Sequence, residues 1–449
     1  MLSGRHWPKS WESTDEVRRQ AKRIRLWAWS TAMKSRCVIT GMGVVSPNGV
    51  GKAAFCRAVL EGHSGVRRIS RFDPSQIEVQ IAGEVSDFDE LAWVEKKERK
   101  HVSRVLPLTL CAATEALENA GIDTTRLPLQ ERRRFGVILG TGGGAQEFTE
   151  EQYRLYYRGQ ISKMSLFCIP SGVMGSLSSE LNVRFALKGP SHVITTGCTS
   201  STDAIAYAAR QIEAGRLDWV LTGGADAPIS LGTVRGFILM KILTESWNQA
   251  PEKGSRPFSA DRDGFVLAEG AWMFVLEEYE HATARGANIL GEICGYGSTC
   301  EAYHRVRLME CGEEPARAIG LAMTQAGISA EDVDYVNLHG TSTQLNDRIE
   351  TRALKLALGD VRARQVPMSA LKSQIGHPQG ACGAAGVAAT LLAMQNQQLP
   401  PTINLDKPDS VCDLDYVPTA GRRARIEHAV CNCIAFGSKN SALVLRFLA

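Results

Sequence analysis

A chain of 449 residues, 44% hydrophobic and 22% charged, is long enough for two packed halves and has the balance of a soluble globular protein. No apolar run reaches the length of a membrane span; the best candidate, Phe265 to Leu276, is short and carries Glu269. The net charge of +3 divides into +6 over residues 1–36 and −3 over the remainder, where no basic stripe with interleaved aromatics points to nucleic acid.

Residues 1–32 read as a basic, poorly ordered extension. Ser13 to Glu16 fits a capping box, and Val17, Ala21, Ile24 and Ala28 could line one face of an amphipathic helix for a membrane or a partner. An upstream translational start or a tail is the preferred reading, with Met33 opening the domain proper. Arg5 and Lys9 are not followed by an apolar stretch, so no signal peptide is expected. From Arg36 the pattern turns α/β. "RCVITGMGVVSP" predicts a buried strand entering a Gly/Pro turn, and "PLTLCAATEALENAG" a helix with a glycine stop. "FGVILGTGGG" and "WVLTGGADA" both predict a strand running into glycines. Strand-like "VDYVNL", helix-like "ETRALKLAL" and a closing strand "SALVLRFL" follow. This alternation predicts mainly parallel, buried sheets covered by helices. "GCTSSTDAIAYAARQIEAG" and "GACGAAGVAATLLAMQNQQ" both pass from a small-residue turn into an amphipathic helix, an echo compatible with a duplicated unit. The two halves are placed at residues 33–287 and 288–449.

The twelve cysteines are scattered, with no export signal, so a disulfide framework is not expected and the reading is a reducing cytoplasm. Cys431 and Cys433 have one residue between them and no second pair, which is not the spacing of a zinc site. Cys198 stands apart from the rest. It follows the apolar stretch "SHVITT" and opens a helix, whose N-terminal N–H groups and dipole would favour a thiolate and could bind an oxyanion formed on an attacked thioester. His339 follows a strand on a turn with Thr341, Ser342 and Thr343; His377 lies on another turn, five residues after Lys372. Strand carboxyl ends are where α/β folds carry their sites. One thiolate to hold an acyl group and two neutral imidazoles to stabilise an enolate are what decarboxylative condensation needs. Lys372 would keep the imidazoles neutral, and Glu350 is the expected partner for its charge. "GTGGGA" has neither the lysine–hydroxyl pair of a P-loop nor a dinucleotide fingerprint.

From Met33 to the C-terminus the chain resembles the type II β-ketoacyl-acyl-carrier-protein synthases of the thiolase-like superfamily. The resemblance rests on "VITGMGVVSPNG", "TTGCTSS", "GGADA", "RPFSADRDGFVLAEGA", "HGTST", "KSQIGH", "LPPTINLD" and "CNCIAFGSKN", in that order and spacing. It implies an α/β fold of two duplicated halves forming a five-layered αβαβα subunit, a homodimer, and no metal or nucleotide cofactor. Cys198 would be the acyl-accepting nucleophile, completed by His339 and His377, with Lys372 and Glu350 in support. Thr341 and Thr343 match the threonines that hydrogen-bond the phosphopantetheine arm, and Phe436 the gating phenylalanine whose N–H joins that of Cys198 in the oxyanion hole. The implied reaction is condensation of an acyl group on Cys198 with a malonyl-carrier. The alternative is a non-elongating chain-length-factor-like subunit; a thiolase fits poorly, because thiolases pair one histidine with a second catalytic cysteine.

The chain departs from that family in two places. The usual Ser-Phe-Gly-Phe-Gly-Gly-Thr-Asn is Cys433 to Asn440 with Ala435 and Ser438 at the flanking glycine positions, and "RVRLMECGEE" replaces a Thr-Ser-Pro turn. Both segments face the acyl entrance in relatives, so the expectation is a specialised-metabolite pathway in place of housekeeping fatty-acid synthesis. The carrier protein should be acidic, and Lys96, Lys97, Arg99, Lys100 and Arg104 are expected to steer it from a helix in "EKKERKHVSR".

Overall fold

The computed structural model describes residues 35–448, so the expectations for the N-terminal extension lie outside the described residues. Among the described residues the main sheet has eleven strands, ten along its path and a two-residue strand, Gly49–Val50, that pairs only with the first of them. The first five of the ten are β1 (Cys37–Ser46), β2 (Phe135–Gly140), β3 (Ser191–Ile194), β4 (Trp219–Asp226) and β5 (Gly270–Glu278). The second five are β6 (Gly291–Cys300), β7 (Tyr335–Asn337), β8 (Met368–Ser369), β9 (His428–Ala435) and β10 (Lys439–Arg446).

The first set runs β3-β2-β4-β5-β1 and the second β8-β7-β9-β10-β6, the same order in terms of chain sequence. Pairing repeats as well. β2 is parallel to β3 and β4, as β7 is to β8 and β9; β5 is antiparallel to β4 and β1, as β10 is to β9 and β6. β1 and β6 join the sets through an antiparallel pairing at Cys37–Ile39. The echo heard in two helices is therefore a duplication of a whole five-strand unit.

Close packing repeats at the residue level. A Cβ on Gly41 or Gly43 of β1 would lie 2.1 or 2.0 Å from the carbonyl oxygens of Ala116 and Ala112 in helix α1 (Val105–Asn119). In the second half, Gly295 and Gly297 of β6 meet Ala322 and Ala318 of α3 (Glu313–Ala326) at 2.1 and 2.0 Å in the same way. Glycines two apart on a strand against alanines four apart on a helix bring the backbones together at one point in each half. Helix α2 (Ser200–Glu213) belongs to the first half, and α4 (Gln344–Leu358) and α5 (Cys382–Asn396) to the second. Helices α2 and α5, the two echo helices, pack on each other. Residues Cys382 to Met394 of α5 are all buried, and that helix is apolar on every side, as a central layer requires.

The expectation of mainly parallel sheets needs correction. Antiparallel pairs occupy the middle, from β4 to β5 to β1 and from β9 to β10 to β6, and parallel pairs the flanks. Helices cover both faces, so antiparallel strands here are continuous apolar runs too, and sequence periodicity does not distinguish the two pairings.

Candidate active site

Cys198 lies in the turn between β3 and α2, two residues before the helix begins. Gly197, with φ 77°, makes that turn, and the Ser200 N–H donates back to its carbonyl (3.1 Å). The Cys198 sulfur and one ring nitrogen each of His339 and His377 lie within 4.8 Å of one another. The two imidazoles meet edge to face with centroids 5.4 Å apart. All three side chains are buried and line one cavity of about 270 Å³, together with Thr341, Thr343, Phe265 and Phe436.

Each imidazole is held by its backbone and has one nitrogen committed. His339 follows the end of β7, where its N–H and that of Gly340 both donate to the Glu350 carboxylate of α4 (2.7 Å each). Asn432 of β9 donates to the same carboxylate at 2.7 Å, so Glu350 ties β7 to β9. Lys372 donates to the His339 carbonyl at 2.5 Å and sits 3.3 Å from its Nδ1. His377 donates its N–H to Val266 (2.7 Å), and its Nδ1 accepts the Gln379 N–H (3.1 Å). An ammonium and a backbone amide are donors only, so both Nδ1 atoms are acceptors and both protons reside on Nε2. Burial, reinforced by Lys372, holds both histidines well below their ordinary range and therefore neutral.

Two expectations about charge change. Glu350 does not pair with Lys372; its oxygens are taken by the His339 and Gly340 amides and Asn432, and Lys372 turns to the His339 carbonyl. The thiolate expected of Cys198 is also outweighed. Burial pushes its thiol up to about 12, with Cys382 adding to the rise, against the opposing Lys372 charge and the Phe436 N–H directed at its sulfur.

Phe436 lies in the turn joining β9 to β10. Thr341 and Thr343 share a hydroxyl hydrogen bond (2.9 Å), and Thr343 also caps α4 by accepting the Asn346 N–H. The two divergent segments are clasped together. The Ser438 hydroxyl donates to the His304 carbonyl (3.0 Å) and accepts the His304 N–H (3.3 Å), while the Gly437 N–H donates to the Arg305 carbonyl (3.0 Å). A glycine at 438 has no side chain to make the first two bonds.

The geometry alters the premises of the carrier-docking expectation. "EKKERKHVSR" forms turns and a single 3₁₀ turn (Arg99–His101), not the expected helix. Arg99 is drawn to Glu90, and Arg104 is buried in a bidentate pair with Glu269 (2.7 and 2.8 Å) and a contact to Glu90. Lys96, Lys97 and Lys100 remain exposed.

Three features escaped the sequence reading. Cys382 and Cys433 direct their sulfurs at the Cys198 carbonyl (3.2 and 3.1 Å), so a second and third thiol underlie Cys198. Asn432 was missed as well; all three lie within motifs already singled out. His339, Cys382 and Cys433 offer ligand atoms within 4.8 Å of one another, but the Lys372 ammonium beside His339 Nδ1 opposes a metal cation there. The glycine loop "GTGGGA" cradles an anion from its own chain. Gly142 and Gly143 N–H and the Thr141 hydroxyl donate to the buried Asp226 carboxylate at 2.7, 2.9 and 2.8 Å.

The model for the β-ketoacyl synthase N-terminal domain matches residues 34–282, and that for the β-ketoacyl synthase C-terminal domain residues 290–406. The chain belongs to the β-ketoacyl synthase family. This ketosynthase is 41% identical over 420 residues to a putative polyketide β-ketoacyl synthase 1 of Streptomyces halstedii, covering 92% of this chain and 98% of that one. It is 38% identical over 416 residues to 3-oxoacyl-[acyl-carrier-protein] synthase 2 of Vibrio harveyi, covering 93% and 99%. Among solved structures, the ishigamide ketosynthase/chain length factor superposes with a TM-score of 0.85 at 31% identity, over 93% of this chain and all of that one. A type II polyketide acyl-carrier protein in complex with its ketosynthase gives 0.84 at 32%, over 93% and all of that chain. The ketosynthase is thus a condensing acyltransferase with the thiolase-like α/β fold.

Proposed function

We propose that this ketosynthase is a 3-oxoacyl-[acyl-carrier-protein] synthase that loads an acyl group on Cys198 and extends it by decarboxylative condensation with a malonyl-carrier. The observation that carries the reading is the convergence of one thiol and two Nε2–H donors on a single cavity, with Lys372 and the Gln379 amide committing the other ring nitrogens.

In the first step the Cys198 sulfur attacks the acyl thioester, the bond to the carrier's pantetheine sulfur breaks, and the Cys198 proton ends on that departing thiol. No free thiolate accumulates beforehand, in keeping with a thiol pushed up to about 12. In the second step the malonyl thioester oxygen accepts hydrogen bonds from His339 and His377. The bond to the carboxylate breaks, CO2 leaves, and its electron pair forms the enolate those donors stabilise. Fixed donors of this kind are each worth about 10²–10³ in rate. The enolate carbon then attacks the acyl carbonyl on Cys198, with the Phe436 N–H beside the sulfur placed to receive the oxyanion. Collapse expels the Cys198 sulfur, which takes a proton from solvent.

The carrier protein and a second subunit belong to the same proposal. Edge strand β3 exposes Ser191 and His192, and Leu166, Ile169 and Val183 are exposed apolar residues, a surface suited to a second copy of the chain. A chain-length-factor role is disfavoured by the complete Cys198, His339, His377 and Lys372 set. Intact-mass spectrometry after incubation with acyl-carrier thioesters of several lengths, in wild type and Cys198→Ala, tests the reading. An acyl mass on wild type alone, discharged as a 3-oxoacyl product by malonyl-carrier, is the expected result. Loading without elongation would make the chain a partner subunit.

A further inference from the structure

Arg307 lines the same cavity as Cys198, Thr341 and Thr343, yet it is exposed and forms no ion pair among the described residues. Its backbone is not loose. The Val306 and Arg307 N–H groups both donate to His304 Nδ1 (3.0 Å each), and the Met309 N–H donates to Glu301 at 2.9 Å. The Ser438 clasp fastens this turn to the Phe436 loop. A preorganised turn thus presents a guanidinium with no ion-pair partner among the described residues at the exposed part of a cavity that buried Cys198 also lines. Other cations adjoin the lining residues in sequence or line the neighbouring cavity. Lys241, next to the cavity-lining Met240, and Arg305 are exposed, and Arg348 lines the adjoining cavity together with Leu345, which the two cavities have in common. Glu310 is the acidic residue lining that adjoining cavity.

We propose that Arg307 binds the phosphodiester of the carrier's phosphopantetheine arm, holding the arm while its thioester reaches Cys198; this rests on the condensing-enzyme reading. The substrates carry two anions, the arm phosphate and the malonyl carboxylate. Exposure decides between them, because the carboxylate must sit beside the buried imidazoles, whereas the phosphate is at the outer end of the arm. Guanidinium is matched in geometry and charge to a phosphate.

The test compares Cys198 loading from acyl-phosphopantetheine with loading from acyl-pantetheine, which lacks the phosphate, by intact-mass rates at subsaturating substrate. Wild type is expected to favour the phosphate-bearing thioester. Arg307→Gln should lower its kcat/KM by about ten- to a hundredfold, the worth of a charge-assisted hydrogen bond, and leave acyl-pantetheine within about twofold. Arg307→Lys should recover part of the preference. An equal loss on both thioesters, or no loss on either, overturns the proposal. So does a selective loss in decarboxylation of malonyl-pantetheine, which would assign the carboxylate instead. If wild type loads from neither, the condensing reading falls and the proposal with it.

Discussion

Arg104 separates a docking role from a structural one. Its guanidinium is buried against Glu269, whose side chain is completely inaccessible, and also donates to the Val85 carbonyl at 2.8 Å. Arg104→Met would leave the Glu269 carboxylate buried with the Val85 N–H (3.0 Å) as its remaining hydrogen bond. Breaking a buried pair from one side costs about 3–5 kcal/mol. At about 2.1 cal/mol/K per residue, a chain of this size has an unfolding entropy near 0.9 kcal/mol/K, so the Tm should fall by roughly 3–6 °C. Glu90 loses less, because Arg99 and Arg71 remain beside it. The double variant Arg104→Met/Glu269→Gln should recover part of the loss, since no unpaired buried charge remains. Differential scanning fluorimetry of the two variants, beside a titration with acyl-carrier protein, reads both roles. A carrier affinity that collapses in Arg104→Met at unchanged Tm would refute the buried-pair argument. Lys96→Glu with Lys100→Glu should behave in the opposite way, with Tm held and salt-dependent carrier affinity reduced.

Three further outcomes are expected. Alkylation of Cys198 by iodoacetamide should rise about tenfold per pH unit between pH 7 and 10, because its thiol is pushed up to about 12 and only the growing thiolate fraction reacts; a plateau below pH 9, read by mass spectrometry, would contradict this. Lys372→Met should release His339 Nδ1, so that ¹⁵N NMR reports a mixture of imidazole tautomers in place of Nε2–H alone. The His339 pKa should rise yet stay below the ordinary value, burial being the larger cause, and an unchanged tautomer signal would remove Lys372 from this role. Ser438→Gly should relieve a non-glycine residue at φ 64° while losing two side-chain hydrogen bonds, opposing effects of about 1–2 kcal/mol in total on each side that leave Tm little changed. Faster amide exchange at His304 and Gly437 is the expected signature, and unaltered protection would show that the clasp does not hold the loop.

Much of the fold and the site was readable because most of the informative residues sit where strands end. The strand-to-glycine patterns at "FGVILGTGGG" and "WVLTGGADA" correspond to β2 and β4; Cys198 and His339 each follow a strand, while His377 follows the short helix Lys372–Ile375 and bridges to Leu267. What escaped depended on contacts between distant segments. Nothing near Arg104 in sequence announces Glu269, 165 residues away, and Glu350 looked like a partner for Lys372 until two backbone amides claimed its oxygens. The helix N-terminus behind Cys198 was correctly located, but the cost of burying a thiolate is set by three-dimensional enclosure, and there it wins.

The duplicated topology explains why the site needs both halves. The turn between β3 and α2 delivers the Cys198 thiol from the first unit, and the segments after β7 and β8 deliver the two imidazoles from the second. The cross-links between them are specific. Segment 266–268 of the first half pairs with His377, and Cys382 and Cys433 of the second reach the Cys198 carbonyl. A displacement of one unit against the other would therefore move the Cys198 thiol relative to the two imidazoles, and under the proposed mechanism a loss of about 1 Å in such alignment would cost about a hundredfold in rate. The apolar α2–α5 contact fixes that relation, so substitutions at this contact should reduce condensation more steeply than they reduce stability.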